Sequence, residues 1–188
     1  MSILKVARMG HPVLREKARE LSAKEIQSPR IKRLIRDMVD TMHEYSGIGL
    51  AAPQVHESIQ LAVLEFEEES ERYPDMGKQP LLVVINPKIK VLDEAKQGYW
   101  EGCLSIPEIR GLVHRPRKIR VDYTDEKGKT RKIEAEGFLA TVFQHELDHL
   151  AGSLFIDRIR DTTKLAFIEE YQRYWLPEKD AEVGELGD

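Results

Sequence analysis

Gln144-His145-Glu146-Leu147-Asp148-His149-Leu150 sets two histidines four residues apart, with a glutamate directly after the first. On a helix, residues i and i+4 stand one above the other, so His145 and His149 would turn two imidazoles toward one metal ion. Glu146 would sit about 100° round the helix from His145, at the edge of the site, where a carboxylate moves protons without ligating. Two histidines at this spacing also occur on ordinary solvated helices. Here Phe138, Leu139, Val142, Phe143, Leu147 and Leu150 make the segment too apolar for a surface position, which favours a buried helix carrying a metal site.

A catalytic metal of this kind takes three protein ligands and keeps one position open. Three candidates compete for the third. A metzincin-like continuation would put a third histidine where Phe155 stands, and phenylalanine does not ligate. A thermolysin-like site would use Glu169, 20 residues after His149. However, Phe167, Ile168, Tyr171, Tyr174 and Trp175 cluster on one side of a helix expected over residues 163 to 175, and Glu169 falls opposite them, facing solvent. Cys103, in Glu101-Gly102-Cys103-Leu104-Ser105, is the lone cysteine. A lone cysteine is ordinarily a small buried hydrophobe, but its thiolate is a strong ligand for zinc or iron and no better candidate is visible.

Gly47-Ile48-Gly49-Leu50-Ala51-Ala52-Pro53-Gln54-Val55, Glu101-Gly102-Cys103-Leu104-Ser105 and Gln144-His145-Glu146-Leu147-Asp148-His149-Leu150-Ala151-Gly152 together resemble the peptide deformylases, in order and in spacing, over roughly residues 3 to 175. The resemblance implies removal of the formyl group from N-formylmethionine at the start of new polypeptides, with release of formate. It implies Cys103, His145 and His149 as ligands of one divalent ion, ferrous in cells, with zinc or nickel as substitutes in a purified sample. It implies attack on the formyl carbon by a water that the ion activates, Glu146 as general acid and base, and Gln54 with the Leu104 backbone N–H as oxyanion donors. Ile48 and Gly49 would contact the residue after the formyl group. Tyr99, Glu101 and Gly102 match pocket positions, and Arg110 a rim position.

The residues themselves add to this. At about 100° per residue Phe138, Thr141 and Val142 continue the stripe of His145 toward the helix N-terminus, where they would line an apolar pocket suited to methionine; for Thr141 a plain core role is as good a reading. Gly47 and Gly49 suggest backbone open to a ligand, to which an extended peptide could add as a strand. Asp148 could orient a ligand, pair with Arg115, or be a surface charge. His11, His43, His56 and His114 have no such context.

The elements that must position these residues form a catalytic unit over residues 1–176, with no repeat or dividing linker. Ser28 and Pro29 open a helix over residues 28 to 45, with Gly47 as terminator and Ile31, Leu34, Ile35, Met38, Val39 and Met42 as its apolar face. Strands are expected at 59–66, 81–85 and 88–93, with a solvated acidic loop over 65–80 between the first two. Ile119–Thr124 and Thr130–Glu136 alternate around Asp125-Glu-Lys-Gly-Lys as a hairpin. Gly137 precedes the motif helix, which runs to about Ala151. The fold class is α+β, antiparallel sheets around the central helix that carries the motif.

The chain has 188 residues with a formal net charge of −4, which gives no bulk basic surface for DNA. One cysteine rules out an internal disulfide and fits a reducing compartment. No apolar run reaches the ~20 residues of a membrane helix. The N-terminus has neither signal nor transit character, so the bacterial cytoplasm is expected. The tail, residues 177–188, sets Glu178, Asp180, Glu182, Glu185 and Asp188 against Lys179. It reads as disordered and ill suited to docking on ribosomal RNA, leaving at most a weak ribosome association.

Overall fold

The computed structural model describes residues 2–66 and 78–176. Most of the acidic stretch assigned to a loop, residues 67–77, and the tail from 177 lie outside the described residues.

Short α1 (Ala23–Ile26) leads into α2 (Pro29–Glu44), then β1 (Gly49–Ala51) and β2 (Leu61–Phe66). β3 (Gln79–Cys103), β4 (Ile106–Thr124) and β5 (Thr130–Glu136) follow as a meander, then α3 (Gly137–Leu150), β6 (Leu165–Phe167) and α4 (Ile168–Tyr174). The strands form one antiparallel sheet in the order β1-β2-β3-β4-β5, with β6 paired to β4. The class is α+β.

Successive residues of a strand point to opposite faces, and this alternation builds two cores on one sheet. Leu61, Val63, Val83 and Ile85 pack with Leu34, Met38 and Met42 of α2. Ala62, Leu64, Val84, Ile119 and Val121 pack with Phe138, Val142 and Phe143 of α3. With both faces covered, Leu61 to Leu64 are buried without a break, so β2 reads as a continuous apolar run rather than an alternation.

Ser28 caps α2, its side chain accepting from the Ile31 N–H, with Pro29 in the first helical turn. At the other end the left-handed residue is Ser46 (φ 51), not Gly47. Gly47 N–H donates to the Met42 carbonyl and Ser46 N–H to that of His43, the double bond of a Schellman turn. The hairpin lies where expected, with Ile119 opposite Ala135 and Val121 opposite Ile133. Asp125 holds its turn by accepting from the Lys127 and Lys129 N–H groups.

Several segments differ from the sequence reading, among them β4, which starts at Ile106 rather than Ile119. The stretches expected as strands at 81–85 and 88–93 are parts of one strand, β3, which continues to Cys103. Asn86-Pro87 lies between the two expected strands. Asn86 takes φ 49, its side chain clamps the backbone of Leu21 from both sides (2.9 and 2.7 Å), and the ladder to β4 resumes after a bulge. The last helix spans 168–174 rather than 163–175, because Leu165–Phe167 pair with β4. Its single apolar face is lost with it: Tyr171 is buried, while Phe167 is 65% and Tyr174 67% exposed.

Candidate active site

Gly137 (φ 63) turns the chain from β5 directly into α3. The helix crosses the interior, and its buried residues lie on nearly every side of it. Polar side chains in such a helix need partners or a function. Gln144 finds partners, its amide donating to the carbonyls of Pro116 and Ala140.

His145 Nδ1 lies 2.8 Å from a carboxylate oxygen of Glu101. That carboxylate only accepts, so the proton sits on Nδ1 and Nε2 is left as a donor atom toward the site. His149 Nε2 is 3.3 Å from Cys103 Sγ. Cys103 closes β3, and one ligand atom each from Cys103, His145 and His149 lies within 4.8 Å of the others. Burial resists ionisation of the Cys103 thiol, but the imidazoles of His149 and His145 beside it outweigh burial and hold its pKa well below the usual thiol value. Burial likewise works against the charged form of His145, and Cys103 and Glu101 outweigh it, raising its pKa. Donors that draw positive charge together in a buried pocket fit a divalent cation.

Glu146 is buried, and its Oε2 has no hydrogen-bond partner among the described residues. Burial raises its pKa above the usual carboxylate value. Gly49 packs against this carboxylate so closely that a Cβ there would collide with it. Gln54 is held from behind: the Ala51 N–H donates to its Oε1 at 2.8 Å, so its Nε2 points inward, 3.3 Å from Ser105 Oγ and 3.5 Å from Cys103 Sγ.

A cavity of about 700 Å³ opens over these groups. Ile48, Gly49 and Gln54 line one side, Gly102, Leu104 and Arg110 another, and Phe138, Thr141 and Val142 of α3 the wall beside His145 and Glu146. Cys103 is also on the wall. Tyr99 is not among the lining residues; its ring packs edge-on against Phe138 at 5.4 Å. The next residue, Trp100, lines the cavity instead. Glu101 touches the cavity, but its carboxylate is engaged behind it with His145 and Arg115. Gly102 leaves the space over which the Arg110 guanidinium lies.

Sequence reasoning left Asp148 open between three roles, and the structure joins it to Arg115. Buried Arg115 grips Glu101 through two nitrogens (2.6 and 3.0 Å) and Asp148 through the third (2.7 Å). Half-exposed Arg158 closes the other side of Asp148 at 2.6 and 3.1 Å. The carboxylates of Glu101 and Asp148 hold Arg115 charged against the cost of its burial. A chain of ion pairs thus runs from the surface to the back of His145. Ser105, Trp100 and Arg158 went unremarked in the sequence; Ser105 alone had a local signal, lying inside the Cys103 motif. Glu169 is exposed on α4 and is not among the residues lining the cavity.

The model of the polypeptide deformylase family matches residues 3–165. The chain belongs to this family. A peptide deformylase of Leptospira biflexa is 42% identical over 170 residues, covering 90% of this chain and 95% of its own. Peptide deformylase 1 of Bordetella pertussis is 43% identical, covering 87% and 92%. The Met-Ala-Ser-bound class I type b peptide deformylase of Acinetobacter baumannii superposes with a TM-score of 0.81 at 38% identity, covering 85% of this chain and all of that one. The enzyme is a peptide deformylase that hydrolyses the N-formyl group of newly made polypeptides, and its Cys103, His145 and His149 form a cluster able to bind a metal ion.

Proposed function

We propose that Cys103, His145 and His149 hold one divalent ion, ferrous in the bacterial cytoplasm and replaceable by zinc or nickel, and that Glu146 is the proton carrier of the reaction. The observation that carries this reading is the convergence of three donor atoms within 4.8 Å beside a buried carboxylate oxygen with no partner among the described residues. When bound, the ion supplies Lewis acidity, making water nucleophilic at neutral pH and polarising the formyl oxygen.

The rest falls to the chain's own residues. Glu146 accepts the proton of the attacking water at its free Oε2 and passes it to the departing amine nitrogen; a pKa raised by burial suits both transfers. Gln54 Nε2 and the backbone N–H of Leu104 donate to the oxyanion that develops on the formyl oxygen. The Ala51 contact to Oε1 fixes the Gln54 amide before substrate arrives. Among the described residues β1 ends the sheet order and pairs only with β2, so the backbone of Ile48 and Gly49 can receive an extended peptide as a further strand. The first side chain then lies along Phe138, Thr141 and Val142, and Arg110 and Gly102 meet later residues. Glu101 positions His145, and Tyr99 supports Phe138.

Residues 1–176 act as one catalytic unit, and the acidic tail works against docking on RNA. The relatives named above are bacterial, and among the described residues no helix is long and apolar enough to cross a membrane; both are in keeping with a bacterial cytoplasmic role. The test is formate release from formyl-Met-Ala-Ser by protein loaded anaerobically with Fe²⁺. Release that a chelator abolishes and Fe²⁺ restores is the expected result. Release indifferent to metal would overturn the assignment.

A further inference from the structure

Thr141 is 3% exposed and lines the cavity between Phe138 and Val142. Its hydrogen bonding is half used. Gln97 Nε2 donates to Thr141 Oγ1 at 3.3 Å and to the Gly137 carbonyl at 2.5 Å. The carbonyl only accepts, which fixes the orientation of the Gln97 amide, so Thr141 accepts from it and keeps its own proton. Among the described residues no acceptor takes that proton. Thr41, the buried threonine of α2, shows the ordinary alternative, its hydroxyl donating back one turn to the Asp37 carbonyl at 2.6 Å. Among the described residues Thr141 is therefore a buried donor without an acceptor, set in the wall along which the proposed function lays the first side chain of the substrate.

Thioether sulfur accepts hydrogen bonds weakly, whereas a sulfoxide oxygen accepts them strongly. A purely apolar pocket would exclude a sulfoxide, since an acceptor taken from water without a partner loses on the order of 5- to 100-fold in binding. We propose that the Thr141 hydroxyl supplies that partner, so that the enzyme removes the formyl group from N-formylmethionine sulfoxide as well as from N-formylmethionine. This rests on the reading that the first substrate side chain occupies the α3 wall. The chemistry is otherwise unchanged: the water oxygen bonds to the formyl carbon, the C–N bond breaks, the amine takes a proton and formate leaves. The S–O bond is untouched, and no oxidant or reductant is involved.

Three metal-loaded proteins test this: wild type, Thr141→Val, which keeps the shape and removes the donor, and Thr141→Ser, which keeps the donor. Each is assayed for kcat/KM of formate release from formyl-Met-Ala-Ser, formyl-Met(sulfoxide)-Ala-Ser and formyl-norleucyl-Ala-Ser. Wild type is expected to cleave the sulfoxide within about tenfold of the methionine peptide. In Thr141→Val the sulfoxide-to-norleucine ratio falls about tenfold or more, and Thr141→Ser restores it. Inhibition by the product Met(sulfoxide)-Ala-Ser weakens by a similar factor in Thr141→Val, a binding readout independent of turnover. A wild type that discriminates more strongly than tenfold, or a ratio that Thr141→Val does not move or Thr141→Ser does not restore, overturns the inference while leaving the deformylase reading intact. No formate from formyl-Met-Ala-Ser with wild type overturns both.

Discussion

The two long helices flank the same sheet and obey different rules. α2 has one buried face, a capped start and a Schellman end. α3 has no side-chain cap at its start and is buried on nearly all sides. Its polar residues are held only by what surrounds them, and two of their buried atoms, Glu146 Oε2 and His149 Nδ1, have no partner among the described residues. Apart from the left-handed Ser46 at its end, α2 follows the local rules, so its loss would cost stability. α3 breaks local rules where the chemistry is done, and altering its polar residues should cost activity first.

The sharpest separation is expected from Glu146→Gln. Formate release should fall about 10²–10⁴-fold with metal content unchanged, and near-normal activity would remove Glu146 from its role. Met38→Ala, fully buried on α2, should do the reverse. It should cost about 2–5 kcal/mol in denaturant unfolding while kcat of the folded protein stays close to wild type. Asp148→Asn probes the support behind His145: metal affinity, followed by competition with a chelator, should weaken about 10- to 100-fold. Unaltered affinity would make the ion-pair chain purely structural. Ser28→Ala removes only a cap and should lower stability by about 0.5–2 kcal/mol, without effect on metal binding.

The smallest effect concerns pH. Asp125 accepts from the Lys129 and Lys127 N–H groups and pairs with Arg131, so its pKa in the folded state lies below the ordinary 3.8. A depressed carboxylate stabilises the fold above its unfolded pKa and loses that contribution as pH falls through the folded value. Asp125→Asn should therefore flatten the acid limb of the unfolding curve, seen by measuring midpoints downward from neutral pH, and a limb as steep as wild type would rule this out.

What was legible in the sequence was what repeats or caps locally. α2 showed itself by spacing and by Ser28-Pro29, the β4–β5 hairpin by alternation around Asp125, and the metal donors by His145 and His149 on one helix face plus the lone Cys103. Long-range pairings were hidden. The pairing of Asp148 with Arg115, 33 residues upstream, stood only as one of three readings, and nothing near either residue says that Arg115 also grips Glu101 or that Arg158 closes the other side of Asp148. Tyr99 was placed in the pocket by family resemblance, and only its packing on Phe138 shows that it stands behind the wall while Trp100 lines the cavity. β3 was read as two short strands, and only the long-range clamp of Asn86 on Leu21 shows that the chain passes through a bulge there and continues as one strand.

The order of the elements bears on how the site comes into being. β3, β4 and β5 pair with their sequence neighbours, and α3 starts at the residue after β5. Closing the chain between Cys103 and His145 is therefore expected to be the work of short-range sheet pairing, with its entropy met before any ion arrives. A zinc finger gathers its ligands only by binding metal. This enzyme is expected to fold metal-free with a finished socket, so that metal supply governs when it becomes active and leaves untouched whether it folds.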